Sequence, residues 1–124
     1  MEFQISSNVT QMIDELTRRF GENEVNQAIA RGINEALEEG QQLVVNDSPE
    51  RTGDLKKSIS IRRANPTDKV PSGAVYSDLY YAPFVEFGTK RGTKPHAMFR
   101  KNLGTIQQLV RQRVRAELMD LWNN

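Results

Sequence analysis

Apolar positions along this chain change their spacing several times, and each change marks an element. Phe3-Gln4-Ile5 alternates apolar and polar, as a short half-buried strand does. Ser7 or Asn8 then offers a side-chain oxygen to cap a helix from about Val9 to Phe20, and Gly21 supplies the residue that ends it. From Glu22 the apolar or small positions Val25, Ile29, Ile33, Ala36, Leu37 and Val44 recur at helical intervals, while Glu24, Arg31, Glu35, Glu38 and Glu39 fall largely outside that stripe. The pattern predicts a long amphipathic helix that ends before Asn46-Asp47-Ser48-Pro49.

Between Arg51 and Lys94 the helical period is lost. This stretch holds most of the prolines together with Gly53, Gly73, Gly88 and Gly92, so turns dominate it. Ser58-Ile59-Ser60-Ile61 alternates with period two, and Gly73-Ala74-Val75-Tyr76-Ser77 follows the breaker-rich Asn65-Pro66-Thr67-Asp68. The two read as an antiparallel hairpin with a long loop. The helical period returns with Phe99, Leu103, Ile106, Val110, Val114, Leu118 and Leu121, which predict a helix from about Ala97 to Leu121. Gly104 is its weak point, worth about 1 kcal/mol relative to alanine. The order gives an α+β class, with two long helices packed on a small antiparallel β-sheet.

Composition narrows this picture. With 124 residues the chain has the length of one domain, 1–124, and at 37% apolar and 27% charged residues its core is thin and much of its surface polar. It contains no cysteine, which removes disulfides, thiolate nucleophiles and cysteine-ligated zinc. The start at Met1-Glu2-Phe3-Gln4 lacks a basic and apolar leader, and no stretch reaches the 18 or so apolar residues of a membrane span, so a soluble, unsecreted protein with no membrane partner is expected. Net charge is +1 but unevenly placed: residues 1–50 carry ten acidic and three basic side chains, residues 51–124 six acidic and fourteen basic. Such halves suit a nucleic-acid-binding region, or complementary faces that meet when copies pack head to tail.

Candidate chemistry is sparse. His96 is the single histidine, flanked by Pro95 and Ala97, and reads best as a solvated or structural hydrogen-bonding residue. A hydrolase would have to be built on it with Glu86 or Asp78, and no nucleophile pattern accompanies them. Glu35, Glu38 and Glu39 share part of a helix surface, the ordinary arrangement of a solvated face rather than a hard-cation site. Gly88-Thr89-Lys90-Arg91-Gly92-Thr93-Lys94 combines glycines, hydroxyls and cations, but the phosphate-loop and dinucleotide spacings occur nowhere, so no cofactor is expected. Lys90, Arg91 and Lys94 nonetheless suit a DNA backbone or a protein partner, which makes a small nucleic-acid-binding protein the alternative reading. Tyr76, Tyr80, Tyr81, Phe84 and Phe87 lack the strand pattern of a base-stacking platform and are expected in core and interface.

Two strings are more specific: Arg51-Thr52-Gly53-Asp54-Leu55-Lys56-Lys57-Ser58-Ile59 and Tyr81-Ala82-Pro83-Phe84-Val85-Glu86-Phe87-Gly88-Thr89. In that order, after a long helix and before a basic, proline-containing loop, they resemble the small head-tail joining or tail-completion proteins of long-tailed phages. Lys94-Pro95-His96-Ala97-Met98-Phe99-Arg100 is a looser counterpart of that family's lead into the last helix, with fewer prolines. The resemblance implies a non-enzymatic virion subunit of the neck, assembled in the cytoplasm of the infected bacterium. It further implies a ring of six copies, contacts with other neck or tail proteins, and DNA passing through the lumen with non-specific contact at most.

The residues of the strings suit architecture. Thr52, followed by Gly53, is placed to cap a short helical turn that Asp54 supports, with Leu55 and Ile59 anchoring the chain. Tyr81, Phe84, Val85 and Phe87, in a string that also holds Ala82 and Pro83, are expected to form an apolar cluster around Glu86, whose burial demands an arginine or backbone N–H partners. Gly88 permits a sharp exit into Thr89. Subunit contacts are expected chiefly from the helix Glu22 to Val45 and from the sheet with its loops, and the loops 90–94 and 65–72 offer little to bury and are expected to order on assembly.

Overall fold

The structure, a computed structural model, describes residues 2–5, 10–49 and 53–124. The proposed caps Ser7 and Asn8, together with Val9 and Thr52, lie outside the described residues. The chain runs β1 (Glu2–Ile5), α1 (Thr10–Phe20), α2 (Glu22–Asp47), α3 (Asp54–Ser58), β2 (Ser60–Arg62), β3 (Gly73–Tyr76), α4 (Ala82–Phe87) and α5 (Arg100–Trp122). Gly21, at φ 92°, separates α1 from α2 as its position suggested.

The α+β architecture with two long helices on a small antiparallel sheet is present, and the sheet has one strand more than the hairpin reading supplied. Its order is β1-β3-β2, so the two strands of the predicted hairpin do pair, with Ile61 opposite Val75, and Phe3 pairs with Val75 from the other side. β3 is therefore central and nearly enclosed, while the β1 alternation gave no indication of which strand it would join. The first hairpin strand begins two residues later than the alternation implied, because Ser58 closes α3 by bonding its hydroxyl to the Leu55 carbonyl at 2.6 Å.

α2 lies between α5 and the sheet and supplies the largest share of the core: Val25, Ala28, Ile29, Ala30, Ile33, Ala36, Leu37 and Val44 are all buried. It also runs past its expected end through Asp47, since Ser48 donates its hydroxyl to the Val44 carbonyl at 2.7 Å and its N–H to Val45 at 3.1 Å, closing the last turn. Polar side chains on α2 hold the sheet connections. Asn34 accepts from the Ala64 N–H at 2.7 Å and donates to the Ala64 carbonyl at 3.3 Å, and Gln41 donates to the Ile59 carbonyl at 2.7 Å.

The two long helices are antiparallel and very close. Gly32 faces Val114, Gly40 faces Ile106, and the Asp47 carboxylate accepts from Asn102 at 2.7 Å. On α2 the small residues Ala28, Gly32, Ala36 and Gly40 recur every fourth position, and on α5 Ile106, Val110, Val114 and Leu118 do the same, so four-residue ridges meet. A Cβ on Gly32 would stand 2.6 Å from the Val114 Cα, which only a glycine at that crossing avoids. α5 begins at Arg100, three residues later than the period suggested, because 97–99 form the turn that leads into it.

The two halves of the sequence meet within the subunit through ion pairs, three of them along this same seam. Arg31 pairs with Glu117 at 3.1 Å, Arg113 with Glu39, Arg63 with Glu38 at 3.0 Å and Lys101 with Asp47 at 3.6 Å. Complementary charge thus joins α2 to its own neighbours, while Glu22, Glu24, Glu35 and Gln42 remain exposed on its outer face.

Candidate assembly surface

Within the second string Ala82–Phe87 forms α4, a six-residue helix. Pro83 sits in its first turn, where the missing N–H has no intrahelical partner to lose. Ala82 is fully buried and fastens the helix to the core, and Gly88 at φ 76° ends it. Any side chain at position 88 would collide with the Thr93 carbonyl oxygen, 2.6 Å from an ideal Cβ. The basic loop then closes on itself, with the Thr89 N–H donating to the Thr93 carbonyl at 3.1 Å and the Gly92 N–H to Thr89 at 3.2 Å. Lys90, Arg91 and Lys94 all stand exposed on it.

Glu86 is the centre of this region and is fully buried. Its Oε1 accepts from the Phe99 N–H at 2.8 Å, and its Oε2 accepts from the Arg100 N–H at 3.1 Å and from Arg100 Nε at 2.8 Å. Arg100 also donates to the Glu86 carbonyl at 2.7 Å, and its guanidinium lies 4.5 Å from the centre of the Phe87 ring. The two backbone donors belong to the first turn of α5, so Glu86 caps a helix whose own N-cap, Phe99, makes no side-chain cap bond. A carboxylate there is favoured by the aligned peptide dipoles as well as by Arg100. The expected arginine and backbone N–H partners are both found.

The expected aromatic cluster around Glu86 is not. Phe84 and Phe87 are 56% and 52% exposed, and Tyr80 just before the helix is 83% exposed, its ring edge-on to Tyr81 at 5.4 Å. The reason is helical geometry: positions 84 and 87 share one face of α4, and with Ala82 and Glu86 turned inward that face, like Tyr80 in the turn before it, points to solvent. Tyr81 and Val85 are half-buried against the core edge, and Pro83 and Thr89 flank the exposed face. Tyr80, Phe84 and Phe87 thus form an exposed aromatic patch, followed along the chain by the exposed cations Lys90, Arg91 and Lys94.

The first string is tied to the lead into α4. Gly53, at φ 77°, precedes α3, and Leu55 and Ile59 are buried in the core. Ser58 meets the buried Ser77 at 2.7 Å, and the Ser77 hydroxyl accepts from the Leu79 N–H at 3.2 Å, which sets the chain on its course into α4. Both strings thus belong to one construction, a small helix held rigidly with its aromatic face outward.

The remaining candidates are placed elsewhere. His96 donates its N–H to the Val85 carbonyl at 2.7 Å and turns Nε2 to the Asp47 carbonyl, so it ties the loop to the end of α2. Glu86 is engaged with α5 and Asp78 is exposed, and the bonds of His96 lead to neither. Among the described residues no group of three or more His, Cys, Asp or Glu gathers as a metal site, and no helix is long and apolar enough to cross a membrane. The Asp47 carboxyl is held below its usual range, first by the Asn102 hydrogen bond and then by Lys101 and His96, against partial desolvation. The Glu35 carboxyl is held above it, first by sharing a hydrogen bond with Glu117, then by desolvation and the Glu117 charge, against the pull of Arg113 and Arg31.

A second surface escaped the sequence reading. Met119 and Trp122 lie off the buried stripe of α5, 42% and 41% exposed, and with Gln11, Met12 and Glu15 of α1 they line an open groove of about 290 Å³. Its signal was present in two large apolar residues at the polar positions of an amphipathic helix.

Fold and site together are those of a small α+β protein in which the most distinctive residues brace an exposed face. The chain belongs to the HK97-gp10-like family: residues 10–88 match the family model described as "Bacteriophage HK97-gp10, putative tail-component". It is accordingly a bacteriophage structural component of the virion. The matched span contains α4 and the described part of the first string, and it stops before the basic loop and α5. No curated protein and no solved structure matches the chain.

Proposed function

We propose that this protein is a subunit of the phage neck, and that copies of it form a closed ring that joins tail to head around the DNA passage. The observation that carries the reading is the aromatic face of α4, exposed yet immobilised by Glu86 and Arg100 within the span that defines the family. A clamped helix loses little conformational freedom on docking, so burial of Tyr80, Phe84 and Phe87 goes largely into affinity. Six copies are what the sequence resemblance implies, and other neck or tail proteins cap the ring on either side. The subunit is made in the cytoplasm of the infected bacterium and ends in the virion.

The basic loop supports a lumen-facing role. Between Glu86 and Glu117 the sequence has eight lysines and arginines and no acidic residue, and Lys90, Arg91 and Lys94 are free of helix packing. Such a loop touches phosphates without reading sequence. By contrast Arg113 of α5 is already paired with Glu39, which counts against α5 as the main DNA-binding element of a stand-alone binder.

Light scattering coupled to size exclusion, across protein concentration and salt, tests the reading. A species several times the 14.1 kDa chain is expected at high concentration. A monomer under every condition would falsify assembly from this chain alone.

A further inference from the structure

The two exposed apolar surfaces stand at opposite ends of one strut. The α4 face abuts the first turn of α5 through Phe87, Glu86 and Arg100, and the groove of Met12, Met119 and Trp122 lies at the last turn. The helix between them has 23 residues and is therefore about 33 Å long. Two different patches at two ends of a subunit are the requirement for a head-to-tail contact.

Resting on the ring reading above, we infer that the groove between α1 and the end of α5 receives the α4 aromatic face of the next copy. Charge favours this occupant. The inserted face carries Lys90, Arg91 and Lys94 beside it, while the groove is lined by Glu15, neighboured by exposed Asp14 and Asp120, and sits at the negative end of the α5 dipole. Arg18, Arg19 and, one turn before Met119 on the same face of α5, Arg115 are the cations on that side, and Arg19 is engaged within the subunit: it donates to the Trp122 carbonyl at 3.1 Å and stacks on the Trp122 and Phe20 rings at 5.1 and 4.8 Å. The groove volume, about 290 Å³, is at the low end of sites that enclose a compact apolar ligand, which suits one or two aromatic side chains.

Because the contact joins unlike surfaces, defective copies complement one another. A Phe84→Glu chain has a spoiled face and an intact groove, and a Met119→Glu chain the reverse; both residues are largely exposed, and unchanged far-ultraviolet circular dichroism checks that both chains fold. At a concentration where the unaltered protein is assembled, each variant alone is expected to be monomeric. Their equimolar mixture is expected to give a dimer of twice 14.1 kDa and nothing larger, since only one good contact can form. A Met119→Glu chain that still assembles, or a mixture that stays monomeric, overturns this contact while leaving assembly itself standing. An unaltered protein that never assembles overturns both.

Discussion

Replacing Gly32 and Gly104 separately by alanine applies one chemical change to two helical sites with opposite surroundings. In a helix interior alanine is favoured over glycine by about 0.8–1 kcal/mol. At Gly104, exposed on α5 with no heavy atom within 4 Å of the added methyl, that gain is expected in full. At Gly32 the methyl would stand 2.6 Å from Val114 Cα and 2.7 Å from Val114 N, so backbone must move and no side chain can turn aside. Overpacking of this sort costs about 1–3 kcal/mol, and against a backbone the upper half of that range is appropriate. Gly32→Ala is therefore expected to lose about 1–2 kcal/mol net, while Gly104→Ala gains about 1. The intrinsic preference is common to both variants, so their difference isolates the steric term. Urea unfolding followed by circular dichroism at 222 nm, at a concentration low enough to keep the chain monomeric, measures both. Equal shifts, or a Gly32→Ala chain more stable than the parent, would refute the close crossing of α2 and α5.

Three other outcomes follow from the site and the charged seam. Arg100→Ala leaves Glu86 buried with only two backbone donors and is expected to cost about 3–5 kcal/mol, whereas Arg63→Ala, which breaks the exposed pair with Glu38, is expected to cost about 0–1 kcal/mol in the same denaturation assay. Asp47 has a folded pKa below its unfolded one, so its contribution is complete above the unfolded value and is lost as pH falls through the folded one; Asp47→Asn should narrow its deficit to the parent in that acid window, read from stability against pH. Glu35 has the opposite sign, its folded pKa lying above the usual 4.5, so its ionised form weighs against the fold at neutral pH. Glu35→Gln should therefore be more stable than the parent at pH 7, and that advantage should vanish once pH drops below the unfolded pKa; an advantage that grows with acid would contradict the shared hydrogen bond with Glu117.

The long helices were legible because each carries its stripe over many turns, and β2 and β3 because alternation and intervening breakers agree. The need of Glu86 for an arginine or backbone N–H groups also followed from the cost of burying a bare carboxylate among apolar neighbours. α4 was harder to read. Six residues that include Pro83, Val85 and two phenylalanines have weak helical preference, and what makes them helical is Ala82 in the core and Glu86 on α5, neither of which is a local signal. The same gap hid the outward turn of Phe84 and Phe87. Charge asymmetry was visible as a number, but whether Glu39 faces Arg113 of its own chain or of another depends on how α2 and α5 cross, and that rests on Gly32 and Gly40, which a search for large apolar residues passes over.

That crossing has a consequence for the number of copies in a closed assembly. When subunits join end to end, the turn from one to the next is fixed by how the two ends of each are oriented. A seam with backbone against backbone, along Gly32 and Val114, acts as a stiff ruler between those ends. Stiff units repeat one angle, and only angles that divide a full circle evenly close on themselves; others wind into an open helix. In the proposed ring the missing side chain at Gly32 would thus bear on counting: wedging the helices apart by a methyl group would alter the angle at every joint, and the error would add up around the circle.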